Sequence, residues 1–124
     1  MSNFSYEIGS DNIAIIKWDV PDKKFNVLTL EGISEIENIL EKIFENNNLK
    51  GVIISSNKDD FSAGMDLKVL AHLQDQSKNK EEIFQFVMRA HQFLRKIELG
   101  GIDPKTKKGG IPFVWACNGL SAGI

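Results

Sequence analysis

The spacing of apolar positions changes along the chain, and the changes mark its elements. Tyr6–Gly9 and Ile13–Asp19 are short runs parted by the polar cluster Ser10-Asp11-Asn12, and the second carries Ile13, Ile15, Ile16 and Trp18. β-Branched and aromatic residues on either side of a polar turn predict a β-hairpin. The stretch Asp19-Val20-Pro21-Asp22-Lys23-Lys24 breaks the pattern with proline and charge, which predicts a surface loop before Phe25-Asn26-Val27-Leu28. From Thr29 the period lengthens: Ile33, Ile36, Ile39, Leu40, Ile43 and Phe44 fall at helical spacing. Thr29 is the expected N-cap, Glu31 lies at the positive end of the helix dipole, and Asn46-Asn47-Asn48 ends the helix.

Leu49–Ser55 holds the continuous run Val52-Ile53-Ile54, which predicts a strand covered on both faces, as in parallel sheets. A polar loop, Ser56 to Asp60, leads to Phe61-Ser62-Ala63-Gly64-Met65-Asp66-Leu67, small residues ahead of a short helix through Leu70 and Leu73. Beyond a charged linker, Asp75 to Lys80, a long helix is predicted from Ile83, Phe84, Val87, Ala90, Phe93, Leu94 and Ile97, closed by Gly100-Gly101. Ile102–Gly110 reads as a loop and the least ordered segment. Pro112–Cys117 is a further strand, and Asn118-Gly119-Leu120-Ser121-Ala122-Gly123-Ile124 is a second small-residue turn. Strands alternating with helices predict a layered α/β domain.

Composition narrows the function classes. The 124 residues are 42% hydrophobic and 26% charged, an ordinary globular balance, and 17 acidic against 15 basic residues give a net charge of -2. Nothing there resembles the basic footprint that tracks nucleic-acid phosphates, so no nucleic-acid partner is expected. One cysteine, Cys117, cannot form an internal disulfide, and no leader pattern opens the chain. A cytoplasmic setting is the expectation. Apolar runs fall far short of the about 20 residues that cross a bilayer, so no membrane insertion is expected.

The chemistry concentrates in the two small-residue turns, each after a predicted strand. Such turns present backbone N–H groups that favour an anion or a developing oxyanion, and two side by side form an oxyanion hole. The competing reading is that their glycines and alanines only let strand and helix pack closely. Asp66 is read as a partner of a helix N-terminus. Histidine 91 shares a helical face with Val87 and Leu94 and is expected to be partly buried and satisfied, His72 to be solvated. Cys117, inside an apolar strand, is expected to be an inert buried thiol. Lys105, Lys107 and Lys108 are read as a solvated charge run. No residues stand at metal-ligand spacing, so no metal is expected.

These motifs bear a resemblance. Phe61-Ser62-Ala63-Gly64-Met65-Asp66-Leu67-Lys68 resembles the F-x-A-G-x-D-L segment of the enoyl-CoA hydratase/isomerase (crotonase) superfamily. Ile111 to Gly123 resembles its K-P-x-x-A-x-x-N-G-x-A-x-G-G segment, in the same order. The opening, Ile13 to Trp18 with Asn26-Val27-Leu28-Thr29, is similar to the hydratase region of fused fatty-acid oxidation α-subunits. The resemblance implies a crotonase-like spiral of strand-strand-helix turns, of which residues 1–124 would be a partial, N-terminal domain. It implies an acyl-CoA substrate, with coenzyme A entering as its thioester and no prosthetic group. The thioester carbonyl would be polarised by the N–H groups of Met65 and Ile124. Met65, Asp66, Leu67 and Lys68 would lie along the coenzyme A moiety, with Lys24 and Phe25 near its nucleotide end.

The implied reaction is hydration of a 2-enoyl-CoA in fatty-acid β-oxidation, in a homo-oligomer or a β-oxidation complex. Three departures bear on activity. The family's acid/base glutamates lie downstream of the second turn, so this chain is expected to be inactive alone. Ile124 stands where the family usually has glycine, and the 102–110 loop is longer than usual. Another crotonase-fold enzyme, whether isomerase, hydrolase or dehalogenase, is the first alternative; the surroundings of His91 faintly resemble the dehalogenase branch. A non-catalytic CoA-binding or assembly module is the second.

Overall fold

A computed structural model describes residues 2–75, 79–103, 105–107 and 109–122. The predicted hairpin is β1 (Phe4–Ile8) and β2 (Ile13–Trp18), paired antiparallel with Ile8 opposite Ala14. Its turn is held by Gly9 N–H donating to Ile13 O at 3.1 Å, while Asn12 takes a left-handed φ of 62°. Helix α1 (Leu30–Glu45) starts where expected: the Thr29 hydroxyl accepts from Gly32 N–H at 2.9 Å, and Asn46 ends the helix. Strand β3 (Gly51–Ser56) returns parallel to β2.

The short strand β4 (Ser62–Ala63) and helix α2 (Leu67–Gln74) follow, then helix α3 (Lys80–Leu99). Gly100 closes α3 at a left-handed φ of 58°, and a side chain there would collide with the carbonyl of Ile111. Ile111 N–H donates to Gly100 O at 2.8 Å, so the 102–110 excursion begins and ends at one point. Within it the Asp103 carboxylate accepts from the N–H groups of Lys105 and Thr106. Pro104 and Lys108, which belong to this predicted loop, lie outside the described residues. Strand β5 (Phe113–Ala116) pairs parallel with β3, and β6 (Ser121–Ala122) pairs parallel with β4. The main sheet therefore runs β1-β2-β3-β5.

One face of that sheet is the core. Ala14, Ile16 and Trp18 of β2 and Val52 and Ile54 of β3 bury their side chains with Ile33, Ile36, Leu40 and Ile43 of α1 and Phe93 and Ile97 of α3. Helices α1 and α3 are also joined by a two-point ion pair, Arg89 Nε and Nη2 to the Glu37 carboxylate at 2.8 and 2.7 Å. That hydrogen-bonded carboxylate raises the Arg89 pKa above its ordinary value. The N-terminal segment is fastened to α1 by Asn3, whose backbone and side-chain N–H groups donate to Glu35.

Four expectations are corrected here. Strand β3 is fully buried on one face only: Ile53 is half-buried, in a row with half-buried Ile15 and exposed Val114. The contact stripe of α3 is Phe86, Ala90, Phe93 and Ile97, rotated from the predicted set, so Phe84, Val87 and Leu94 are exposed. His91, expected to be partly buried, shares that outer face and is exposed. Cys117, expected to be buried, is exposed. It follows the edge strand β5, whose Val114 and Trp115 are themselves exposed. His72 is exposed, as expected.

Candidate functional site

The site is built where residues 26–28 run beside the first small-residue turn. Ala63 N–H donates to Asn26 O, Leu28 N–H to Gly64 O, and Asp66 N–H to Leu28 O, at 2.8, 2.8 and 3.0 Å. This is a parallel bridge centred on Leu28 and Met65. In such a bridge the partners of Leu28 are the residues on either side of Met65, so the N–H of Met65 itself points away from that strand. Among the described residues, no group accepts a hydrogen bond from the Met65 N–H. Gly64 makes the turn possible: its φ of 96° lies in the region that disfavours any side chain, and its N–H donates to Ser62 Oγ at 3.0 Å.

Asp66 is the N-cap of α2. Its carboxylate accepts from Lys68 N–H at 3.2 Å and faces Lys23 Nζ at 3.7 Å. It is buried, and its role here is that of a helix cap. Leu67 is 78% exposed and Lys68 is exposed, so both side chains are directed to solvent. Lys24 is exposed, with Nζ 5.4 Å from the ring centroid of half-buried Phe25. Ile124 lies outside the described residues.

The second turn is joined to the first. Pairing of Ser62 with Ser121 and of Ala63 with Ala122 lays the two segments side by side, and Phe61 and Ser62 N–H groups both donate to Leu120 O. Asn118 Nδ2 donates to the carbonyls of Lys58 and Asp59 at 2.8 and 2.9 Å, and Leu120 N–H donates to Asp60 Oδ1 at 2.7 Å. Gly119, at φ 59°, is pressed against Asp59 and Asp60 so closely that a Cβ has no room. Gly119→Ala is therefore expected to destabilise the chain by roughly 1–3 kcal/mol. The loss should be read as a lower urea midpoint, with faster exchange of the Leu120 amide; an unchanged midpoint contradicts the close fit.

Asn26 holds the arrangement together and went unrecognised as a site residue in the sequence. It is fully buried, accepts from Val20 N–H at 3.0 Å, and its amide lies 3.0, 2.9 and 3.1 Å from Trp18 O, Ser56 Oγ and Phe61 O. The only signal was a polar residue between apolar neighbours, Phe25 and Val27. Beside Phe61 an open groove of about 380 Å³ is lined by Phe61, Leu94, Ile97, Glu98, Trp115 and Cys117. Among the described residues, no group of histidine, cysteine or carboxylate side chains is arranged to hold a metal. No described helix is long and apolar enough to cross a membrane.

The family model of enoyl-CoA hydratase/isomerase matches residues 9–120. The chain belongs to the enoyl-CoA hydratase/isomerase family. Among solved structures, it is similar to an enoyl-CoA hydratase from Bacillus anthracis, at 25% identity and a TM-score of 0.70, over 95% of this chain and 40% of that one. An enoyl-CoA hydratase from Thermoplasma volcanium matches at 18% identity and TM-score 0.73, over 96% and 41%. An enoyl-CoA hydratase/isomerase from Xanthobacter autotrophicus matches at 20% and 0.73, over 95% and 39%. The chain has the crotonase fold in part, spanning about two-fifths of the length of these enoyl-CoA hydratase/isomerase relatives.

Proposed function

We propose that this chain is the acyl-CoA-polarising part of an enoyl-CoA hydratase of fatty-acid β-oxidation, in which Met65 N–H donates to the thioester oxygen. Hydration adds hydroxyl to C3 and a proton to C2 of the 2-enoyl group. As oxygen attacks C3, electron density moves onto the thioester oxygen, and a fixed donor there is worth about 3–4 kcal/mol. The observation that carries the reading is the Met65 N–H without an acceptor among the described residues, at a turn fixed by Gly64 and paired with the second motif. Ile124 N–H is the second donor of the proposal. Asp66 and Lys68 flank the coenzyme A moiety, Leu67 supplies apolar contact, and Lys24 and Phe25 meet the nucleotide end.

The carboxylate next to Met65, Asp66, is engaged as a helix cap and is given no acid/base role in the proposal. The chain is proposed to bind and polarise without hydrating. Cytoplasmic location and assembly into a homo-oligomer or a β-oxidation complex belong to the same proposal; exposed Val114, Trp115 and Leu120 support further protein packing there. The test uses a cinnamoyl-CoA carrying a para-dimethylamino donor, whose absorption shifts to the red when its carbonyl is polarised. The chain should produce that shift, and should release no 3-hydroxyacyl-CoA from a 2-enoyl-CoA. Binding without a red shift would leave a CoA-binding or assembly module; turnover of an aromatic acyl-CoA would favour a different reaction on this fold.

A further inference from the structure

We infer that Lys58 is a positioning residue, which latches the 19–24 loop so that Lys23 and Lys24 stand ready for the phosphates of coenzyme A; the inference rests on the acyl-CoA reading above. Lys58 Nζ donates to Val20 O at 2.8 Å and to Lys23 O at 2.6 Å, and pairs with Asp19 Oδ1 at 3.0 Å. An ammonium has three N–H bonds, and all three are used on a single loop. Its side chain is only 12% exposed, so this is not a solvated surface charge.

The loop needs fastening. Asp22 sits at φ 60°, a region unfavourable for a residue with a side chain. Asn26 anchors the loop at its base through Val20 N–H, and Lys58 alone among the described side chains hydrogen-bonds its middle, at Lys23 O. With its carbonyl so held, Lys23 directs Nζ to the Asp66 carboxylate, one residue beyond Met65. Lys24, next in sequence, is exposed. The tethered loop thus carries two successive cations, Lys23 against Asp66 and Lys24 beside Phe25, and phosphate anions are the ligand chemistry that such an arrangement favours.

The experiment compares the chain with Lys58→Met and Lys58→Arg, each checked by circular dichroism. Coenzyme A, which carries the nucleotide phosphates, and pantetheine, which lacks them, are titrated in parallel, and the loop is probed by trypsin cleavage after Lys23 and Lys24. Lys58→Met should weaken coenzyme A binding about tenfold or more while leaving pantetheine unchanged, and should accelerate cleavage after Lys23 and Lys24. Lys58→Arg should restore part of both. Unchanged cleavage overturns the latch whatever the ligand result. Equal loss of coenzyme A and pantetheine overturns the link to the nucleotide end. Faster cleavage with no coenzyme A binding by the original chain sustains the latch and overturns the acyl-CoA reading on which its purpose depends.

Discussion

Met65→Pro is expected to abolish the red shift of a bound chromophoric cinnamoyl-CoA, because proline has no N–H to offer the thioester oxygen. The effect should be large, on the order of 10²–10³ in any reaction that relies on that donor. Two features make the substitution informative. The Met65 N–H is not used by the Leu28 bridge, whose bonds run to Gly64 and Asp66, so removing it takes nothing from the framework. Residue 64, which a following proline would restrict, is a glycine. Met65→Ala retains the N–H and should retain the shift. A full red shift from the proline variant, with the same secondary structure, would show that another group holds the oxygen.

The second expectation concerns stability. Asn26→Ala should cost about 3 kcal/mol or more, seen as a fall in Tm of roughly 10–20 °C. The alanine would leave Val20 N–H without its acceptor and the Phe61 carbonyl without its donor, in a place water does not reach, and would leave the Trp18 carbonyl with the Asn57 N–H alone. These groups belong to the end of β2, the following loop and the segment just before β4. Asn26→Asp is the sharper probe: it keeps the acceptor for Val20 but faces the two carbonyls with oxygen, and should be at least as damaging as alanine. A melting temperature within a few degrees of the original chain for both variants would mean that the amide network is incidental.

What was legible in the sequence was whatever is decided locally. Thr29, Asn46 and Gly100 act on helix ends within a few residues of themselves, and each acts as read. The hairpin was visible because its polar turn and alternating β2 are contiguous, and Asp66 because a cap lies beside the helix it caps. Lys58 and Asn26 were missed for the opposite reason. Lys58 works on residues 38 and 35 positions away, and Asn26 ties Val20 and Trp18, 6 and 8 positions back, to Phe61, 35 positions ahead, so the immediate sequence shows at most a polar residue among apolar ones.

The failures on α3 and β5 share a cause. Periodicity reveals that a helix has an apolar side, but Ile83, Phe84, Val87 and Leu94 make that side wide, and only contact with α1 and the sheet selects the strip through Phe93 and Ile97. Likewise an apolar strand is buried only if it lies inside a sheet; β5 is at the margin, and Cys117 is exposed with it. The family resemblance needed none of this, because its two motifs are themselves contiguous.

The seam between β4 and β6 is two residues long on each side, and it joins segments some 60 positions apart. Closing so large a ring of chain costs entropy, against a short ladder, the Phe61 and Ser62 N–H bonds to Leu120 O, and the Asn118 and Asp60 bonds. The seam should therefore zip late as the protein forms and be among the first places to breathe afterwards. A molecule gripped from both sides of it would act as a rivet, tightening the join that receives it.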